Sequence, residues 1–288
     1  MPSSAEELCE LLDLEVLDLD LFRGRQPETD LQRVFGGQVA AQALMAAQLT
    51  VQPEYVVHSL HSYFLLPGDP AVPIIYDVQR LRDGRSFGSR RVVARQHGRE
   101  IYYLAANVQR PEPGLEHQDA MPAVPPPDEG LDYLELLRAR GVGNAETLAR
   151  EWSALELRFV AGPGNGTAPD PAHPGRVRLW MRVNGDIPDD PRLHLAAFTY
   201  ASDMTLLGAA MVPHAPLTLS SPEVQPASLD HSLWFHRPFR ADEWWLYDQW
   251  SPTATGARGL SLAGVYAAGG TRVATAAQEG LIRVRRTP

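Results

Sequence analysis

The sequence predicts an α+β protein built from two tandem antiparallel sheets, each wrapped around a central helix. First, one segment recurs: HSYFLLP at 61–67 is echoed by HSLWFHRP at 231–238. Second, each half carries an Ala-rich run of helix formers and four runs rich in β-branched and aromatic residues. Third, 288 residues exceed the length at which a single core usually stops growing. Together these observations favour a fused duplication.

The first half opens with residues 14–22, whose rough alternation of apolar and polar residues indicates a half-buried strand. Gly36 and Gly37 precede residues 38–47, a run of small helix formers, so we expect a buried central helix. Four strands should follow, because four segments rich in β-branched or aromatic residues are separated by turn signals. These segments are residues 55–66, 74–81, 87–97 and 101–110.

Residues 111–130 divide the chain. They are dense in proline and lack a periodic apolar pattern, which is typical of a stiff linker. A helical connection is predicted for residues 131–150. The predicted organisation is therefore an N-terminal domain over 1–112, a linker and connecting helix over 113–150, and a C-terminal domain over 151–288.

The second half repeats the pattern after two strands, which are predicted on either side of a loop rich in Gly and Pro. One helix and four further strands are then expected. The two leading strands are 155–160 and 177–183, the helix is 193–211, and the other strands are 228–239, 244–250, 259–267 and 273–285.

The repeat also suggests where the chemistry lies. It aligns the helix at 37–47 with residues 203–211, so Asp203 should stand at a helix start where the first half has Gly37. In the same way, Gln278 stands where the first half has Asn107. Because only the second half offers a carboxylate at this position, we expect it to carry the active site.

Composition and charge argue against several classes of protein. A net charge of −9 and a pI near 5.5 disfavour a nucleic-acid binder, which needs a cationic face. Cys9 is the only cysteine, so we expect neither an intrachain disulfide nor a thiolate metal cluster. Residues 1–7 are acidic, unlike a signal peptide, and no apolar run approaches a membrane span. We therefore expect a cytoplasmic protein without membrane insertion, metal or cofactor.

Four short motifs follow one another along the chain: VFGGQ at 34–38, YASD at 200–203, LDHSLWFHRP at 229–238 and QEG at 278–280. Together they resemble the type II acyl-CoA thioesterase family, the TesB-like enzymes. The likeness runs over nearly the whole chain and is firmest at 21–122 and 177–283. It implies the double hotdog fold, hydrolysis of a fatty acyl-CoA to a free fatty acid and CoA, and assembly as a homodimer or homotetramer.

The resemblance implies a catalytic set of Asp203, Ser228 and Gln278, which in the family hold the attacking water. Their chemistry suits that task, because a carboxylate can accept a proton while a hydroxyl and an amide can each donate or accept a hydrogen bond. The family often has Thr where this chain has Ser228, so the hydroxyl is kept and a methyl group is lost. No metal ion or covalent intermediate is required.

Each member of this set also has an ordinary structural explanation. Asp203 or its neighbour Ser202 could cap the apolar helix that follows. Ser228 could be a turn hydroxyl, and Gln278 alone on a strand could simply be solvated. The catalytic role is favoured only because all three residues occur together with the four motifs of the family.

Two further groups are candidates for supporting roles. A helix N-terminus presents unpaired amides and a positive dipole end, so the amides of Gly37 and Gln38 are candidate donors to a developing oxyanion. Close helix packing explains the glycine equally well. His58 is a second-tier site candidate, beside the alternative of polar packing. It shares a strand with His61, but residues three apart face opposite sides, so the pair cannot easily chelate one metal ion.

The segment GRSFG at 84–88 matches the G-x-S-x-G pattern of serine hydrolases, in which Ser86 would be the nucleophile. That pattern requires a strand before it and a helix after it. Here Asp83-Gly84 predicts a hairpin turn, and a strand is predicted to follow. We therefore expect no nucleophile elbow at Ser86.

Two other functions remain open beside thioester hydrolysis. A hotdog enoyl-CoA hydratase or dehydratase resembles an Asp followed five residues later by His, whereas Asp203 is followed at that interval by Gly208. A non-catalytic acyl-CoA-binding sensor would bind its ligand and release nothing. For a thioesterase, we expect an apolar acyl groove and cationic contacts to the CoA phosphates. The groove candidates are Leu206, Leu207, Met211 and Trp234, and the cationic candidates are Arg237, Arg258 and Arg283.

Overall fold

The computed structural model describes residues 1–139, 141–161 and 175–285, which form one antiparallel sheet of 14 strands. The first half supplies β1 Glu15–Asp18, β2 Leu21–Gly24, β3 Val56–Phe64, β4 Ile74–Asp83, β5 Phe87–Gln96 and β6 Arg99–Gln109. The others are β7 Leu131–Asp132, β8 Leu155–Ala161, β9 Arg176–Val183, β10 Val224–Ser228, β11 Asp230–Phe235, β12 Trp245–Thr255, β13 Arg258–Ala267 and β14 Arg272–Val284. The order is β1-β2-β4-β5-β6-β3-β11-β14-β13-β12-β9-β8-β7, and β10 also pairs with β14.

The described residues form five α-helices and two 3-10 helices. The α-helices are α1 Ala5–Leu12, α2 Gly36–Gln48, α3 Tyr133–Ala139, α4 Ala145–Glu151 and α5 Pro191–Ser202, and the 3-10 helices are Pro127–Glu129 and Leu206–His214. The α+β class expected from the sequence is thus confirmed. The predicted strands are present with shifted ends, and the first one is split into β1 and β2. The predicted loop between β8 and β9 lies outside the described residues.

The two predicted sheets join edge to edge into one. Strand β3 of the first half pairs antiparallel with β11 of the second half, which places Leu60 opposite Leu233. Both leucines are fully buried. The hydroxyl of Ser62 donates across this seam to the carbonyl of His231 at 2.7 Å. The repeated motif therefore forms the two strands at which the halves meet.

The central helices α2 and α5 lie side by side and run antiparallel. At one end, Gln48 Nε2 of α2 donates to the carbonyl of Arg192 at the start of α5. At the other end, Gly37 at the start of α2 lies so close to the carbonyl of Tyr200 that a Cβ there would overlap it. All residues of α2 after Gly36 are buried, and its many alanines permit this close packing.

The second central helix differs from the sequence prediction. It begins at Pro191, because Asp190 caps it by accepting from the Arg192 amide and proline fits its first turn. It ends at Ser202, and after a turn the chain continues as the 3-10 helix Leu206–His214 against β12 and β13. The prediction that Asp203 begins the helix is wrong, because the repeat offset hid the Asp-Pro start signal. Asp203 instead follows the C-terminal end of α5.

The Pro-rich linker crosses the outer face of the second half of the sheet. Apart from one 3-10 turn it has no regular structure, as the sequence predicts. Trp180 Nε1 donates to the carbonyl of Pro125 at 2.9 Å, and Arg272 pairs with Asp119 at 2.8 Å. Met121 packs with neighbouring apolar residues against a small cluster on that face, so the linker covers part of the sheet.

One helical segment is long and apolar enough to cross a membrane by length and composition. It spans Pro191–His214, and an 18-residue window within it has a mean hydropathy of 1.3. The expectation that no apolar run approaches a membrane span is therefore wrong. In the fold, however, 72% of this window is buried, since it contains α5 and the 3-10 helix. Such burial is typical of a core helix.

Candidate active site

A groove of about 480 Å³ opens where the two halves meet. The first half contributes the loop before α2, the end of β3 and the start of β6. The second half contributes the turn after α5 and the strand β10. The lining is mainly apolar. The predicted catalytic set comes from the second half, but residues of both halves line the groove.

Asp203 and Ser228 line this groove, and the buried side chain of Gln278, which does not line it, bonds to both. Gln278 Nε2 donates to Asp203 Oδ1 at 2.5 Å and to Ser228 Oγ at 3.0 Å. The nitrogen must face the carboxylate, because an ionised carboxylate can only accept hydrogen bonds. The other amide atom, Gln278 Oε1, is buried and has no hydrogen-bond partner among the described residues.

Each member of the set is held by a different element. Gln278 lies in the middle of β14 and is fully buried. Ser228 ends β10, which pairs with β14 so that Ser228 stands opposite Gly280. Asp203 occupies the first position after α5. The hydroxyl and the amide thus come from neighbouring strands, and the carboxylate reaches them from the central helix.

Burial governs the electrostatics of the site. Removal of the Asp203 carboxyl from water raises its pKa from 3.8 to about 6. The hydrogen bond from Gln278 and the amide of Gly37 oppose this rise, because both stabilise the charged form. A carboxyl with this pKa is ionised at pH 7 and is a stronger base than an ordinary aspartate. It can accept a proton from a water molecule.

The N-terminal end of α2 faces this carboxyl. Phe35 precedes the helix and offers no side-chain cap, so the first amides lack a partner from their own segment. A Cβ on Gly36 would lie 2.6 Å from Asp203 Oδ2, so only glycine permits this approach. Asp203 therefore does not cap the helix that follows it. Its carboxyl lies instead at the positive end of the helix from the other half.

The two candidate oxyanion donors differ in position. The amide of Gly37 faces Asp203. The amide of Gln38 donates to the carbonyl of Phe35 at 3.1 Å, and its buried side chain donates to Gln26 Oε1 at 2.8 Å. Both donors of Gln38 are thus used within the first half, and Gly37 is the one that adjoins the carboxylate.

The histidines lie away from the reacting groups. His58 is near the far end of β3, where its ring meets Phe87 with 6.0 Å between ring centroids, and it does not line the groove. His61 Nδ1 lies 3.2 Å from Ser232 Oγ. His231 is fully buried, and burial lowers its pKa to about 4. It lies 2.8 Å from Ser202 Oγ, beside the carboxyl-bearing turn rather than in the groove.

Asp230 and Ser86 also lie outside the candidate site. Asp230 accepts from the amide of Glu279 at 2.7 Å, so its carboxyl serves the pairing of the strands. Ser86 lies in the hairpin between β4 and β5, and Phe87 after it begins a strand. Since no helix follows Ser86, the expectation of no nucleophile elbow there is confirmed.

The predicted substrate contacts are only partly at the groove. Leu207 lines it, whereas Leu206 and Met211 are buried and absent from the lining. Trp234 packs against His61, with 5.1 Å between ring centroids, and is likewise absent.

None of the three predicted phosphate contacts lines the groove. Arg258 forms an ion pair with Glu279 at 3.0 Å. Arg237 donates to the carbonyl of Arg272 at 3.0 Å, and Arg283 is exposed on β14.

Beyond the start of α2, sequence reasoning missed the groove wall that the first half supplies. Phe64 and Tyr102 lie opposite each other on β3 and β6, and both line the groove. Their rings pack with 5.1 Å between centroids. Phe64 belongs to the repeated HSYFLLP segment, so that repeat was a signal for this wall. Among the described residues, no cluster of three or more His, Cys, Asp or Glu could hold a metal ion.

Comparison with solved structures defines the class of protein. The chain matches a protein with a hot dog fold from Alicyclobacillus acidocaldarius at a TM-score of 0.75, with 21% identity and 98% of each chain covered. At that identity the likeness concerns the fold alone. The double hotdog prediction is confirmed, with both hotdog units fused through β3 and β11.

Sequence comparison then identifies the family. Residues 25–109 match the model of the acyl-CoA thioesterase N-terminal domain, and residues 169–281 match the acyl-CoA thioesterase model. Acyl-coenzyme A thioesterase 8 of Homo sapiens is 41% identical over 96% of this chain and 88% of its own length. The acyl-CoA thioesterase II TesB2 of Mycobacterium marinum is 44% identical, with a TM-score of 0.83 over 96% of this chain and 98% of that one. The chain belongs to the acyl-CoA thioesterase family.

Proposed function

We propose that this protein hydrolyses a fatty acyl-CoA to a free fatty acid and CoA. The observation that carries the proposal is the carboxylate of Asp203, which Gln278 holds beside an otherwise largely apolar groove. Apolar walls suit an acyl chain, and a few converging polar groups suit the reacting end of a substrate. Membership of a family whose relatives are named acyl-CoA thioesterases supports the same activity.

In the proposed reaction, Asp203 is the general base. It takes one proton from a water molecule while the water oxygen forms a bond to the thioester carbonyl carbon. The C–S bond then breaks, and the leaving thiolate takes the proton held by Asp203. The products are the free acid and the CoA thiol, and Asp203 returns to its ionised form.

Ser228 and Gln278 orient the water in this scheme. Ser228 Oγ accepts a hydrogen bond from Gln278, so the serine's own O–H proton remains able to donate. Gln278 Oε1 has no partner among the described residues and is able to accept. The N-terminal end of α2, at Gly37, supplies a positive field beside the carbonyl oxygen on which charge develops.

Thiol release tests this proposal. Purified wild type and Asp203→Asn would be assayed on short, medium and long acyl-CoAs, with free thiol as the readout. We expect release by the wild type and a fall of about 10² to 10⁴ in turnover for Asp203→Asn, because the variant removes the base and little volume. Circular dichroism and acyl-CoA binding should be unchanged and serve as controls.

Two outcomes would contradict the proposal. Full activity in a folded Asp203→Asn variant would remove the assigned base. Absence of thiol release by the wild type, with loss of enoyl absorbance from an enoyl-CoA, would indicate a hydratase or dehydratase. Binding without either reaction would indicate an acyl-CoA sensor.

We also propose a homodimer or homotetramer in the cytoplasm. The outer strand β1 supports further assembly, because Val16 and Leu19 are 67% and 81% exposed at an open sheet edge. A single cysteine supports a reducing compartment. Sedimentation equilibrium would test the assembly, and a monomer at micromolar concentration would contradict it.

A further inference from the structure

We propose that Arg33 binds the phosphate groups of CoA at the rim of the groove. This inference rests on the proposed thioesterase function and names a contact for the part of the substrate that does not react. The candidate phosphate contacts from sequence, Arg237, Arg258 and Arg283, do not line the groove. Arg33 lines it and is exposed to solvent.

The first argument for this contact is the pattern of charges along the groove. Among the described residues that line it, only Arg33 and Asp203 bear a charge. The proposed substrate has the matching pattern, with an uncharged acyl chain, a thioester and a polyanionic nucleotide. Asp203 lies beside the groove wall formed by Gly36. Arg33, the cation among the described lining residues, is therefore the group that matches the phosphate end of the substrate.

Arg33 is also free to bind an anion. It forms no ion pair with any carboxylate in the described part of the chain. By contrast, Arg258 is neutralised by Glu279 and Arg80 by Asp20. A planar guanidinium without a carboxylate partner can donate two parallel hydrogen bonds to a phosphate.

The backbone holds this residue at a suitable place. The amide of Val34 donates to the carbonyl of Gly68 at 3.0 Å, and the Val34 side chain packs against the same glycine. Arg33 precedes Gly36 by three residues, so their Cα atoms are at most about 10 Å apart. In CoA the pantetheine arm separates the thioester from the phosphates, so a cation away from Asp203 is what the substrate requires.

The whole-protein charge makes a local cation more important. The chain carries a net charge of −9, which repels a CoA polyanion. A single unneutralised arginine at the rim offsets that repulsion where the ligand enters. Its contribution should weaken as salt screens the interaction.

The test compares Arg33→Gln with wild type on two substrates that share one acyl chain. One substrate is the acyl-CoA, and the other is the acyl-N-acetylcysteamine thioester, which lacks phosphate. We expect Arg33→Gln to raise KM for the acyl-CoA about tenfold, since one charge-assisted contact is lost, with kcat unchanged. Both constants for the phosphate-free substrate should stay the same.

Salt dependence and a matched control sharpen the comparison. KM of wild type for the acyl-CoA should rise with NaCl, and that rise should be smaller for Arg33→Gln. Arg85→Gln makes the same charge change in the exposed hairpin between β4 and β5, outside the groove. It should leave both substrates and the salt dependence unchanged.

Three results would overturn the assignment. The first is an unchanged KM for acyl-CoA in Arg33→Gln, and the second is an equal loss on both substrates. The third is the same effect from Arg85→Gln, which would reflect overall charge. Calorimetric titration with free CoA separates this proposal from the thioesterase proposal: even if no thioester is hydrolysed, Arg33→Gln must weaken CoA binding for the inference to stand.

Discussion

The carboxyl group of Asp203 has a modest set of partners for a group so removed from water. One amide hydrogen bond from Gln278 and the nearby amide of Gly37 favour its charged form, but burial outweighs them and raises its pKa to about 6. The same burial that weakens the acid strengthens the conjugate base. The environment of this one residue therefore sets the pH range in which the proposed reaction can run.

A single ionisation should control activity at acidic pH. The base must lose its proton to act, so the logarithm of kcat/KM should rise with a slope of one below pH 6 and level off above about pH 7. The measurement is thiol release from a neutral-pH-stable acyl-CoA between pH 4.5 and 8. Activity that stays level down to pH 4.5 would show that burial does not raise the pKa of the Asp203 carboxyl.

At this scale, sequence could identify reactive side chains but not their neighbours. The family resemblance pointed to all three residues, because Asp203 and Gln278 lie in the YASD and QEG motifs and Ser228 directly precedes LDHSLWFHRP, and the structure brings them together. Gly36 lies in the VFGGQ motif, but the motif does not reveal its contact with Asp203, and Arg33 lies outside the four motifs. Gly36 matters because it has no side chain between α2 and Asp203, and Arg33 matters because it lines the groove. Neither contact can be seen without the folded structure.

Among the elements, the start of α2 has the largest effect on the site. It brings the positive end of a helix from the first half against a carboxyl of the second half. The contact depends on Gly36, because a Cβ there would approach Asp203 Oδ2 at 2.6 Å and the Phe64 ring at 2.9 Å. The helix and the carboxyl can meet only if that position has no side chain.

Gly36→Ala should therefore reduce turnover by about 10² while the protein stays folded, because displacing a catalytic group by about 1 Å can cost that much. The matched control is Gly208→Ala in the 3-10 helix, where an added Cβ meets no atom within 4 Å. Initial rates and circular dichroism of both variants test this. Normal turnover in Gly36→Ala would mean that the carboxyl tolerates displacement.

Elements differed in how well sequence predicted them. Strands of the first half were predicted within a few residues, because β-branched runs and Gly-containing turns mark both ends. The start of α5 at Pro191 lies two residues before the predicted start at Leu193, and Asp190-Pro191 is the signal that marks it. The break after Ser202 was not predicted, because Asp203 and Thr205 interrupt the apolar run only briefly before Leu206 resumes it. Packing against β12 and β13 decides its conformation there.

For the whole molecule, the seam between β3 and β11 makes the two halves one sheet. Leu60 and Leu233 are fully buried at this seam, and α2 packs against α5 behind it. The length and the internal repeat predicted two similar halves. They could not predict the pairing of these two strands in register, because that depends on contacts between residues 170 positions apart.

Unfolding should consequently be cooperative across the halves. All tryptophans lie in the second half or just before it, at Trp152, Trp180, Trp234, Trp244, Trp245 and Trp250. We expect urea transitions followed by tryptophan fluorescence and by circular dichroism to coincide. Leu60→Ala in the first half should shift both together by about 2 to 5 kcal/mol in the free energy of unfolding. If the fluorescence transition of Leu60→Ala matched that of the wild type, the halves would unfold separately.

The two central helices differ in the residue that directly follows each of them. The residue after α5 is Asp203, whereas the residue in the same place after α2 is Leu49, which is 41% exposed. Of the two central helices, only α5 is followed directly by a carboxylate. For the proposed reaction we therefore expect one reacting site per chain, so an assembly of any size should turn over one acyl-CoA per polypeptide at a time.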